Sequence, residues 1–161
     1  MNDEDLKVLV EAMDFDFHAF TEEGFAAWVA RQRGRPIQLV PWPDLPPGVF
    51  GVCLSGDEAE SVYYRPDLPP LLKRVTLLHE LAHIFLGHRT ETIPASAATE
   101  VERLIEHLSR GLQRGSFYQT AEDEQAEKLA LLILARLAGE QAEDDAPRSA
   151  GADFLSALDV Q

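Results

Sequence analysis

Two histidines four residues apart flank an acid in the run His79-Glu80-Leu81-Ala82-His83. On a helix, residues i and i+4 stand one turn above the other on a single face, so both imidazoles can converge on one cation. Glu80 lies about 100° round that helix, outside a ligand position yet within reach of a water on the cation. Zinc in such a place would lower the pKa of that water towards ~7, and Glu80 would accept its proton. Leu77, Leu78, Leu81, Ile84, Phe85 and Leu86 make the helix apolar. An unpaired polar pair in such surroundings costs on the order of a few kcal/mol. The plainer readings are a chance match or a hydrogen-bonded core pair.

A zinc site needs at least a third protein ligand. Cys53 is the single cysteine and no further histidine is spaced to converge, so a carboxylate is expected. The segment from Glu122 to Ala130 is the rich place to look. Asp123, Glu127 and Ala130 share a helical face there, while Glu124 and Lys128 point elsewhere. Asp123 also fits a capping box begun at Thr120, and Glu127 also fits a solvated carboxylate. His88 is a weaker candidate. Leu86 and Arg89 stand where the metzincin pattern needs a glycine and a third histidine. His88 is expected to follow Gly87 at the helix end and meet the terminal carbonyls.

The elements around these residues are also legible. Residues 2–13 suggest a short helix with Leu6, Val8, Leu9 and Met13 inward. A second helix begins after Thr21 as N-cap, buries Phe25, Trp28 and Val29, and ends at Gly34. Ile37–Val40, Val49–Leu54 and Ser61–Tyr64 read as three short strands, separated by the Pro-rich 41–47 stretch and a Ser55-Gly56-Asp57-Glu58 turn. Helices are expected over 71–86, 97–111 and 121–137. The fold class is α+β: a short antiparallel three-stranded sheet packed against helices, with any metal between the His79 and Asp123 helices.

The 161 residues favour one domain, expected over 1–139, followed by an acidic, flexible tail over 140–161. Hydrophobic residues are 45% of the chain, which supports a core. Fourteen Lys and Arg against 28 Asp and Glu leave a net charge of -14, which argues against nucleic acid or anionic lipid as partners. One cysteine argues against a disulfide framework. An acidic N-terminus unlike a secretion signal, and no apolar run near the ~18 residues of a membrane span, lead to a cytoplasmic expectation.

The stretch from Val62 through His88, followed by a helix of the form acid-x-x-Ala-x-x-apolar-Ala, resembles the ImmA/IrrE family of small metallopeptidases. That second pattern falls on Asp123, Ala126, Leu129 and Ala130, with Ile133 following. The resemblance covers about residues 36–138 and is specific at its two helices. It implies zinc as the cofactor, His79 and His83 as two ligands, Glu80 as general base and Asp123 as third ligand, where the family has Glu. Aspartate is one methylene shorter, so the helices must sit closer, or Glu127 or Glu124 must substitute. The 89–118 connection is longer than the family's usual one. Family members cleave a helix-turn-helix repressor that controls phage, mobile-element or stress genes, and others are toxins of two-gene modules. The implied activity is a zinc endopeptidase acting on one DNA-binding regulator held along the sheet edge. Tyr63, Tyr64, Tyr118 and His88 are candidates to stabilise the oxyanion. Two other readings stand beside it. One is a non-catalytic regulator that binds a partner through its acidic surface or through Phe154–Leu158. The other is a hydrolase of small substrates.

Overall fold

A computed structural model of the chain describes residues 1–88, 91–92 and 120–145. These residues form an α+β fold in which helices cover one face of a mixed sheet. The expected 97–111 helix, Tyr118 and Phe154–Leu158 lie outside the described residues.

Local chemistry starts the helices where the sequence suggests. Helix α1 (Asp3–Glu11) opens with a capping box between Asn2 and Asp5. Its inward residues are Leu6 and Val10, whereas Val8 is exposed, because the i, i+4 pair sets the buried face. Helix α2 (Glu22–Arg33) is capped by the Thr21 hydroxyl and closed by Gly34 in the left-handed region. Helix α3 (Pro70–Phe85) begins with proline at its first turn, where no N–H is needed. Helix α4 (Ala121–Asp145) does not stop at Gly139 as expected but continues through it, so residues 140–145 are helical rather than loose tail. None of the described helices is long and apolar enough to cross a membrane.

Strands β1 (Ile37–Pro41), β2 (Gly51–Ser55) and β3 (Glu60–Tyr64) form the sheet, joined at the β2 edge by the two-residue β4 (Glu91–Thr92). The order is β1-β3-β2-β4. β2 and β3 are an antiparallel hairpin, but β1 runs parallel to β3, so the sheet is mixed and not antiparallel. The cause lies in the connections. Only 56–59 is short enough to force antiparallel neighbours, while the Pro-rich 42–50 segment carries the chain past β3's place. Arg65 secures that segment, donating from Nε to the Val49 carbonyl at 2.9 Å and from Nη2 to the Pro46 carbonyl at 2.7 Å.

The sheet separates two cores. Cys53 and Val62 face the main one, with residues of all four helices. Val52, Leu54 and Tyr63 face a small one closed by Leu45 and Val49. Along α4, Ala126, Leu129, Ala130, Ile133 and Leu137 are buried in a continuous stripe. The small side chains Ala126 and Ala130 allow a close approach between α4 and α3, the most extensive helix pairing among the described residues. That approach brings the two expected halves of the site together.

Candidate metal centre

His79 and His83 occupy one face of α3, with Nε2 atoms 3.2 Å apart and rings edge to face. Asp123, in the first turn of α4, brings Oδ1 to 3.0 Å from His83 Nε2. One ligand atom from each of the three residues lies within 4.8 Å of the others, so the group is able to hold a metal ion. Bonds of ~2.0–2.1 Å in a tetrahedron separate ligand atoms by about 3.3 Å. The two contacts made by His83 Nε2, with His79 Nε2 and with Asp123 Oδ1, are already close to that span. Two imidazoles and one carboxylate, with a position left over, suit zinc in both donor type and number.

The Asp123 carboxylate serves two ends at once. Its Oδ2 accepts from Thr120 Oγ1 at 2.9 Å and from the Thr120 N–H at 3.3 Å, while the Asp123 N–H donates to Thr120 Oγ1 at 3.1 Å. This is the capping box anticipated from sequence, and it leaves Oδ1 aimed at His83. The capping and ligand readings of Asp123 are therefore compatible, and the box holds the carboxylate in one rotamer. The shorter side chain reaches because the first turn of α4 sits directly over α3. Glu127, one turn on, is exposed, and Glu124 is exposed as well; neither belongs to the three-residue group.

Burial lowers the pKa of His79, opposed by the charges of Asp123 and Glu127. His83 falls further, to about 4, through burial first and then the neighbouring His79, again opposed by Asp123. Both imidazoles are thus neutral at pH 7, the state a metal requires. Glu80 is buried beside them, 4% exposed. The Cys53 thiol hydrogen-bonds to it from β2. Burial pushes that thiol's pKa well up, and Glu80 adds to the rise, so Cys53 is a neutral donor to the carboxylate. Sequence reasoning missed Cys53 in this role, because its pairing with Glu80 depends on how β2 lies across α3. Gly51 makes that crossing possible: a Cβ there would stand 2.7 Å from Thr76 Cγ2 and 3.4 Å from Glu80 Cγ.

A cavity of about 200 Å³ opens from His79 and Glu80 between apolar walls that include Phe50, Leu72, Val75 and Leu131, with Glu127 also on its lining. Phe50 and Leu131 are exposed at 42% and 53%.

The oxyanion candidates fare unevenly. Tyr63 is on the sheet face away from α3, packed edge-on to Trp42 in the small core. Tyr64 carries Lys73 over its ring at 5.2 Å and does not line the cavity. His88 departs from the expectation in a different way. The helix-end carbonyls are met by backbone, not by its ring: Gly87 N–H donates to the Ile84 carbonyl at 3.1 Å and His88 N–H to the His83 carbonyl at 3.0 Å. Gly87, at φ 71°, supplies the left-handed residue of this Schellman turn. The turn folds the chain back and sets the His88 ring against that of His83, with Nδ1 atoms 2.9 Å apart.

No family model, no curated protein and no solved structure matches the chain.

Proposed function

We propose that the chain is a zinc-dependent endopeptidase of the ImmA/IrrE kind. The observation that carries this reading is the meeting of His79, His83 and Asp123 at one point beside the buried carboxylate of Glu80. His79, His83 and Asp123 would hold a zinc ion, which when bound would supply Lewis-acid chemistry for the scissile carbonyl and lower the pKa of a water. Glu80 accepts the proton of the attacking water and delivers it to the leaving amide nitrogen. Cys53 holds the Glu80 carboxylate from behind, and the apolar cavity receives a side chain of the peptide. By resemblance, the substrate is a helix-turn-helix repressor or antitoxin-like regulator. The net charge of -14 favours encounter with a basic partner.

Incubation of the zinc-loaded protein with purified helix-turn-helix regulators, followed by mass mapping of the products, tests the reading. The wild type is expected to cut one regulator at one position. Glu80→Gln is expected to keep its zinc and lose cleavage by roughly 10²-fold or more. A Glu80→Gln variant with undiminished effect on the regulator would contradict an enzymatic role and favour action by binding.

A further inference from the structure

Asp123 and Glu127 stand one turn apart on α4, yet they face different groups. Asp123 turns to His83 and Thr120. Glu127 stands on the wall of the cavity that opens from His79 and Glu80. Most of the remaining wall is apolar: Leu72 and Val75 from α3, Ala130 and Leu131 from α4, and Phe50 just before β2. No Lys or Arg lines it. The nearby cations all face elsewhere. Of those on α3 and α4, Lys73 lies over the Tyr64 ring and Arg74 pairs with Glu22 at 3.0 Å. Lys128 pairs with Asp3 at 2.9 Å and Arg136 with Glu140 at 3.8 Å. Glu80, the other carboxylate on the wall, is buried and bonded by Cys53, whereas Glu127 is exposed to whatever enters.

An apolar slot of about 200 Å³ with a carboxylate on its wall and no cation beside it complements one kind of side chain. A methylene stem buries against Leu72, Val75 and Leu131 while its charged head stays at the wet rim. An arginine head can meet the carboxylate through two parallel N–H bonds, and a lysine head through a charge-assisted one. A leucine or phenylalanine would fill the slot but give Glu127 nothing to bind, and an acidic side chain would be repelled. We infer that this cavity is a subsite for a basic side chain, Lys or Arg, next to the scissile bond, and that Glu127 selects it. The net charge of -14 already favours a partner that carries such residues. The inference rests on the endopeptidase reading for its place beside a scissile bond, but the preference of the cavity for a cation is measurable without turnover.

Two measurements on the full chain after incubation with zinc test it, on wild type, Glu127→Gln and Glu127→Lys. The first titrates n-butylguanidinium against the neutral n-butylurea and follows the methyl resonances of Val75 and Leu131. The guanidinium is expected to bind the wild type about tenfold more tightly, and Glu127→Gln is expected to bring that ratio near one. The second maps cut bonds in a degenerate peptide library by mass. Lys or Arg is expected at one of the two positions flanking the cut. For peptides differing only there, kcat/KM is expected to favour Arg over norleucine about tenfold in wild type and hardly at all in Glu127→Gln. Glu127→Lys is expected to prefer Glu at that position, whereas a merely structural role for Glu127 would lower all peptides alike. Equal affinity of the wild type for both probes, a guanidinium preference that survives Glu127→Gln, or cuts without Lys or Arg beside them overturns the subsite. A preference lost in Glu127→Gln, with no peptide cut by the wild type, supports the cation-selective cavity and overturns the endopeptidase reading instead.

Discussion

At the scale of the residue, Asp123 is the member whose two roles can be separated by experiment. Asp123→Ala removes both the ligand oxygen and the acceptor for Thr120, so it is expected to lose zinc affinity by more than ~100-fold and helix stability by about 1 kcal/mol. Asp123→Asn keeps an oxygen for Thr120 and loses the anionic ligand; urea unfolding is expected near wild type while zinc binding falls. A variant with intact affinity and reduced stability would mark Asp123 as a cap alone. The histidines make a separate prediction. The folded pKa of His83, about 4, is below its ordinary 6.5, so the unfolded chain binds more protons between those values. The stability of the metal-free protein is therefore full above pH ~6.5 and is lost progressively as pH falls towards 4. A thermal midpoint that stays flat from pH 7 to pH 4 would contradict a buried, neutral His83. The His79-Glu80-His83 set was legible because a spacing of four is a property of one helix. The choice among Asp123, Glu127 and Glu124 was not, since it depends on where α4 crosses α3. Nor was the direction of His88, which is decided by a left-handed turn at Gly87 that reverses the chain.

At the scale of the element, Gly51 sets how closely β2 approaches α3. Gly51→Val should force β2 away from Thr76 and Glu80, costing about 1–3 kcal/mol in urea unfolding and lowering cleavage through a displaced Glu80. Unchanged stability would mean that strand and helix are not in close contact there. Leu131→Arg, at the exposed wall of the cavity, should leave zinc binding and stability near wild type and raise KM for the cleaved regulator. The caps at Thr21 and Gly34, the three strands and the α3 boundaries were all readable from local chemistry. The parallel pairing of β1 with β3 was not, because it follows from which loop is long enough to cross a strand. The continuation of α4 beyond Gly139 also escaped local rules. A Cβ at Gly139 would meet no atom within 4 Å, so the residue is neither a close-contact glycine nor a stop. An isolated glycine in a helix costs only about 1 kcal/mol, and neighbouring turns carried it.

At the scale of the whole molecule, one sheet divides a large helical core from a small one, and the candidate centre lies on the helical side where α3 and α4 converge. Binding at that junction ties together two elements distant in sequence. Zinc at 100 times its Kd should add about 2.7 kcal/mol and raise the thermal midpoint by roughly 5–10 °C. The central claim is that His79, His83 and Asp123 hold one ion. The most direct measurement is elemental mass spectrometry of the purified wild type beside Asp123→Ala and Glu127→Ala. The account predicts about one zinc per chain in wild type and Glu127→Ala, and almost none in Asp123→Ala. A wild type without zinc even after incubation with it, or zinc lost in Glu127→Ala and retained in Asp123→Ala, would contradict it.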